Sequence, residues 1–154
     1  DGSDERQYSS PGFRIPVATI TKDKYYEYPQ YHTSADNLDF VTGRQIMETL
    51  SIYRNVLHIL DGNMYYHSRK PYGEAQLGRM DFYPSTGGAV NQPGVSGDTK
   101  QAQQELNAIT WLLFLADGKH DLLSISERSG ISFPDLLRVS KLLTSYQLID
   151  SVTD

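Results

Sequence analysis

The chain has 154 residues, 38% hydrophobic and 21% charged, with a net charge of −5 from 14 Lys+Arg against 19 Asp+Glu. This composition supports one medium domain or two small ones, and no block of like charge draws it to nucleic acid or to an anionic membrane. The absence of cysteine excludes disulfides and cysteine-metal sites and suits the cytoplasm, and no apolar run approaches the roughly 20 residues that span a bilayer.

The opening Asp1-Gly2-Ser3-Asp4 carries neither an initiator Met nor a signal-peptide pattern. It reads as the interior of a longer protein. Paired acids follow in Ser3-Asp4-Glu5-Arg6. Adjacent carboxylates can serve a metal, a substrate amine or proton transfer, or can simply sit on a solvated turn.

After the turn signal Pro11-Gly12, the β-branched run Ile15 to Thr19 predicts a buried strand with Pro16 near its start. Lys22 to Ala35 is aromatic, charged and aperiodic and reads as a loop. Four of the eleven tyrosines, Tyr25, Tyr26, Tyr28 and Tyr31, crowd it, as a pocket wall or as packing beneath the loop. His32 and Asp36 close it. A loop histidine can offer a neutral ring nitrogen to a metal, and a nearby carboxylate can take the other ring N–H. Asp36 or Asp39 could equally cap the next turn.

Ile46, Met47, Leu50, Tyr53, Val56, Leu57 and Leu60 recur at helical spacing. The helix is expected to start at the Thr42 cap and stop at Asp61-Gly62. Strand, loop and covering helix together resemble one β-loop-α unit of an α/β domain, whose other strands are expected upstream. We place this part at residues 1–65.

Residues 66–100 form a connecting segment rich in Gly, Pro and Tyr, and Asn91 to Lys100 is read as a flexible linker. Residues 101–154 alternate amphipathic stretches with turns. A helix is expected from Lys100 to Ala116, with Leu106, Ile109, Leu112, Leu113 and Ala116 inward and Trp111 and Phe114 widening the face. A short helix should run from Leu123 to Ser129, closed by Gly130. A third, capped by Ser132 with Pro134 in its first turn, carries Leu136, Leu137, Val139, Leu142 and Leu143. Leu148 to Val152 completes a helix-turn-helix with a minimal wing. His58, His67 and His120 are too scattered for a metal pattern and are read as surface or packing residues, His120 in a turn.

The segments Ser3-Asp4-Glu5-Arg6-Gln7-Tyr8, Gly12-Phe13-Arg14-Ile15-Pro16-Val17 and Tyr31-His32-Thr33-Ser34-Ala35-Asp36-Asn37-Leu38-Asp39 together resemble the end of the zinc aminopeptidase superfamily, which includes the glutaminyl cyclases. They are most similar to bacterial aminopeptidase-like proteins with a C-terminal winged helix, and Pro71-Tyr72-Gly73-Glu74 fits that subgroup. The fold this implies is an α/β C-terminal fragment of an aminopeptidase-like domain (strand, metal-ligand loop, helix) followed by a mostly α winged helix-turn-helix domain. By the same resemblance His32 is the last zinc ligand and Tyr31 the donor that steadies an oxyanion. Asp4 lines the substrate pocket, and Glu5 stands beside it where many relatives carry histidine. Asp36 is an outer partner of His32. The other zinc ligands and the catalytic base are expected upstream, so the isolated chain should be inactive while the parent hydrolyses a peptide or amide bond. The alternatives are a regulatory protein whose winged helix contacts DNA or a protein partner, and a scaffold that has lost catalysis. Residues 101–154 hold four basic groups against seven acidic ones, a net of −3. Since a phosphate-binding surface is basic, that composition favours packing or homo-oligomer formation over nucleic acid.

Overall fold

The computed structural model describes residues 2–80 and 97–152. They divide into two units, Asp1–Leu57 and His58–Asp154.

The first unit opens with the short helix α1 (Ser3–Tyr8). The expected strand at Ile15 to Thr19 is not formed. Residues 14–21 are irregular, with Phe13 72% and Ile15 46% exposed. A strand needs a neighbour to accept its ladder bonds. None is present among the described residues of this unit, and Pro16 has no N–H to donate. Residues 22–41 run through successive turns, among them Thr33 N to Gln30 O at 3.1 Å and Asp36 N to Thr33 O at 3.1 Å.

Helix α2 (Gly43–Gly62) then begins where expected. Gln45 Oε1 accepts from the Thr42 backbone N–H at 2.7 Å and from the Thr42 hydroxyl at 2.9 Å, and Thr42 Oγ1 accepts from the Gln45 N–H at 3.4 Å. This reciprocal capping box fixes the helix start from sequence-local groups alone. Its apolar stripe is nevertheless uncovered: no residue of α2 is buried, and Met47, Leu50, Leu57 and Leu60 are all exposed.

The second unit holds the core. Strand β1 (Tyr65–Ser68) lies in the middle of a three-stranded antiparallel sheet, between β2 (Asp117–Asp121) and β3 (Ile149–Ser151). Tyr65 pairs with Asp121 and His67 with Asp117 on one side. On the other, Tyr66 pairs with Ser151 and Ser68 with Ile149. Helices α3 (Gly97–Leu115), α4 (Leu122–Ser129) and α5 (Phe133–Ser145) pack with it. Of the expected Asn91 to Lys100 linker, residues 91–96 lie outside the described residues, and 97–100 form the first turn of α3.

Helices α4 and α5 are bounded by local signals. Asp121 caps α4 by accepting from the Ser124 N–H, and Gly130 closes it in the left-handed conformation at φ 69°. Ser132 caps α5 by accepting from the Asp135 N–H. The apolar faces meet in one cluster: Ile109 and Leu112 of α3, Leu122 and Ile125 of α4, and Leu136, Val139 and Leu143 of α5 are all essentially inaccessible. Each such side chain contributes about 1.5–3 kcal/mol of burial free energy. Phe114, expected to widen the inward face of α3, is 78% exposed, because the seven-residue spacing that buries Ala108 and Leu115 turns Phe114 outward. His120 lies on β2 rather than in a turn.

Candidate functional site

Four of the five residues singled out as a site lie on two short pieces of the first unit, and Asp36 follows a few residues on. Asp4 and Glu5 stand on α1. Asp4 is exposed and, among the described residues, accepts only from the Ser3 hydroxyl, at 3.4 Å. Glu5 accepts from the Thr19 hydroxyl. That bond, more than the backbone or Arg6, holds its carboxyl below the ordinary value, so Glu5 is an anion at neutral pH.

Tyr31 and His32 belong to the turn-rich stretch before α2. Their rings stack with centroids 4.1 Å apart and planes 10° from parallel. His32 has φ 55° and Tyr26 has φ 72°, a left-handed backbone that non-glycine residues rarely adopt. The left-handed turn at His32 leaves its imidazole exposed, lying on the Tyr31 ring. The tyrosines support one another: Tyr31 meets Tyr26 edge-on at 4.7 Å and Tyr28 at 5.7 Å, and Tyr28 stacks on Phe40 at 5.7 Å. Hydrogen bonding with Tyr26, then burial, raises the Tyr31 phenol above its ordinary value. Tyr31 therefore keeps its proton at neutral pH and is a donor.

Beside this cluster an open groove of about 580 Å³ is lined by Tyr25, Tyr28, Tyr31 and Phe40 and, from α2, by Ile46, Leu50 and Tyr53. Asp36 is exposed, and no hydrogen bond or ion pair links it to His32. Nor does any hydrogen bond, ion pair or ring contact link Asp4 or Glu5 to Tyr31 or His32. Among the described residues no three His, Asp or Glu side chains cluster as metal ligands. A catalytic zinc takes three protein ligands, so the single imidazole of His32 does not hold one by itself.

The sequence reading missed a second polar constellation. His120 bridges Asp117, three residues before it, and Arg128, eight residues after it. The Asp-Gly-x-His spacing over 117–120 was the available signal. It was masked because the third member comes from the next helix.

No described helix is long and apolar enough to cross a membrane. A relative from Clostridium acetobutylicum, provisionally named as a polysaccharide biosynthesis protein with aminopeptidase-like domain, is 32% identical over 151 residues. The match covers 98% of this chain and 32% of that protein. A crystal structure of a protein from the same organism, provisionally named as a peptidase, superposes with a TM-score of 0.67 at 29% identity, over 98% of this chain and 30% of that one. The chain thus spans about a third of the length of the relatives it matches. Residues 1–63 match a family described as a domain of unknown function (DUF4910). Residues 64–151, more than half of the chain, match the family described as winged helix-turn-helix, and with three helices set against a small three-stranded sheet the chain belongs to that winged helix-turn-helix family.

Proposed function

We propose that this chain is part of an aminopeptidase-like hydrolase that cleaves a peptide or amide bond, and that its winged-helix module serves packing or association. The observation that carries the reading is the 32% identity, across almost the whole chain, to a longer relative named for an aminopeptidase-like domain. Three features support it. His32 presents an exposed imidazole on a left-handed turn. The Tyr31 phenol, protonated at neutral pH, lies against it. The apolar face of α2 is uncovered, as expected of a helix that packs on a partner surface supplied by the remainder of a longer protein.

In this reading His32 supplies one ligand to a zinc ion whose other ligands come from outside this chain. Tyr31 donates a hydrogen bond toward the substrate, Asp4 and Glu5 present carboxylates to its polar end, and Asp36 orients the His32 loop. The peptide-like substrate, the zinc and a homo-oligomeric association through the winged helix are proposals on the same footing. The winged helix is unsuited to a nucleic-acid backbone because acidic groups outnumber basic ones over residues 101–154, and two of its arginines are held in ion pairs. Arg69 donates twice to Asp150 at 2.7 and 2.8 Å, and Arg138 donates to Glu105 at 2.8 Å.

The test is zinc content and peptide hydrolysis of the intact protein, wild type beside His32→Ala. Zinc and activity are expected to fall together. Full zinc and full activity in the variant would overturn the reading.

A further inference from the structure

The core of the second unit reaches the surface at one place. An open groove of about 510 Å³ runs between the second half of α3 and the loop after β1. Ala75, Leu77 and Leu113 line it. Leu77 is part of the core cluster, and Ala75 and Leu113 pack against that cluster. Phe114 stands at the edge of the same groove and is 78% exposed, although a phenylalanine ring gains most when its apolar surface is buried. An apolar groove beside an outward aromatic ring marks an interaction face.

The charges on the groove say what it fits. Lys70 and Glu74 both line it and both are exposed. Neither has an ion-pair partner among the described residues. The other charge there, Asp117, is engaged by the Lys119 N–H and by His120. The rim thus offers one unpaired cation and one unpaired anion. A polyanion, an anionic membrane or a partner of a single charge sign meets no net attraction on it. A second copy of the chain meets its complement, because a two-fold axis can set Lys70 of each copy against Glu74 of the other. The apolar part is self-complementary in the same way. A projecting ring and a hollow lie side by side on one face, so two copies can exchange rings reciprocally.

We propose that this face joins two copies of the chain, with Phe114 of each copy seated in the groove of the other and Lys70–Glu74 pairs closing the rim across a two-fold axis. The inference rests on the association role proposed above for the winged-helix module and gives that role a surface. The two seated rings supply the affinity, and the rim pairs set the register in which the copies meet.

The experiment is sedimentation velocity of the full 154-residue chain over a concentration series. A monomer–dimer equilibrium is expected. Phe114→Glu should weaken it by about thirtyfold or more, the loss of a buried interface anchor. The thermal midpoint of the Phe114→Glu monomer should not fall, since the ring it replaces is already outside the core. Lys70→Glu and Glu74→Lys should each weaken the dimer several-fold, and the double reversal should restore it, which a merely structural role for either residue would not do. A dimer that Phe114→Glu leaves intact would overturn this face while leaving association by the module standing. Reversals that add instead of restoring would overturn the two-fold pairing. A chain that stays monomeric throughout would overturn both the face and the association reading. If the longer protein is monomeric and loses thermal stability on Phe114→Glu, the face is covered within that protein and the proposal fails.

Discussion

The hydroxyl of Tyr66 donates to Oγ of Ser140 at 3.2 Å, joining the middle strand of the sheet to the centre of α5. Ser140 is the one buried polar residue among the described side chains, and its hydroxyl in turn donates a hydrogen bond to the carbonyl oxygen of Leu137 at 3.0 Å. The pair is thus satisfied in a chain of donors, and neither oxygen is left dry. Tyr66→Phe removes one such bond and leaves Ser140 still bonded. We expect a loss of about 1 kcal/mol, read as a fall of about 4–8 °C in the thermal midpoint of the second unit. Ser140→Ala should cost more than Tyr66→Phe, because it strands a buried phenol.

The cap of α5 is a separate, sequence-local contribution. Ser132 Oγ accepts from the Asp135 N–H and donates to Oδ2 of Asp135 at 2.5 Å. Ser132→Ala should lower stability by about 1 kcal/mol, whereas Ser132→Asp should lose little of it. Chemical denaturation of the full chain would compare the two.

Asp117 makes stability depend on acidity. Its folded value, about 2, lies below the ordinary 3.8. The group therefore favours the native state fully above about pH 4, and that contribution disappears as pH falls toward 2. The side chain is 42% exposed, so the effect is screened. Thermal melts of wild type and Asp117→Asn from pH 6 to 2 should show wild type more stable at pH 6 and the two converging at pH 2. A constant gap would refute the assignment.

Gly118 has φ 76°, and a Cβ there would fall 2.0 Å from Cε1 of His67. Gly118→Ala combines a left-handed penalty of about 1–2 kcal/mol with displacement of that ring. It should lower the thermal midpoint more than any single substitution named above.

The uncovered face of α2 makes a prediction about context. Leu50 is 56% exposed, so Leu50→Lys should leave the thermal midpoint of this chain nearly unchanged. In the longer protein, where the face is proposed to be covered, the same change should cost more than about 2 kcal/mol, since it would bury a charge. Equal tolerance in both would show that the face stays exposed.

What the sequence disclosed follows from the range of the interactions concerned. The α5 helix was readable because its Ser132 cap, Pro134 and the Leu136, Val139 and Leu143 stripe lie within one short window. The same holds for the Thr42 cap and for the Gly130 stop. Strands β1 and β2 were not readable. Tyr65-Tyr66-His67-Ser68 and Asp117-Gly118-Lys119-His120-Asp121 show little apolar alternation, and their pairing joins residues fifty or more positions apart. Conversely, Ile15 to Thr19 has strand composition without a neighbour, and composition cannot supply one. At the candidate site the residue His32 was identifiable, but its stack on Tyr31 depends on a left-handed turn that no residue type there demands.

The position of β1 sets the order in which this module can be built. The middle strand, Tyr65–Ser68, leaves the ribosome first, its β2 partner about fifty residues later, and the edge at Ile149–Ser151 only after all three helices. Until then Tyr66 has no cover from α5, and the ladder on one side of β1 is open. The sheet is thus completed only when Ile149–Ser151 has been made, and until then β1 carries an open ladder along one side.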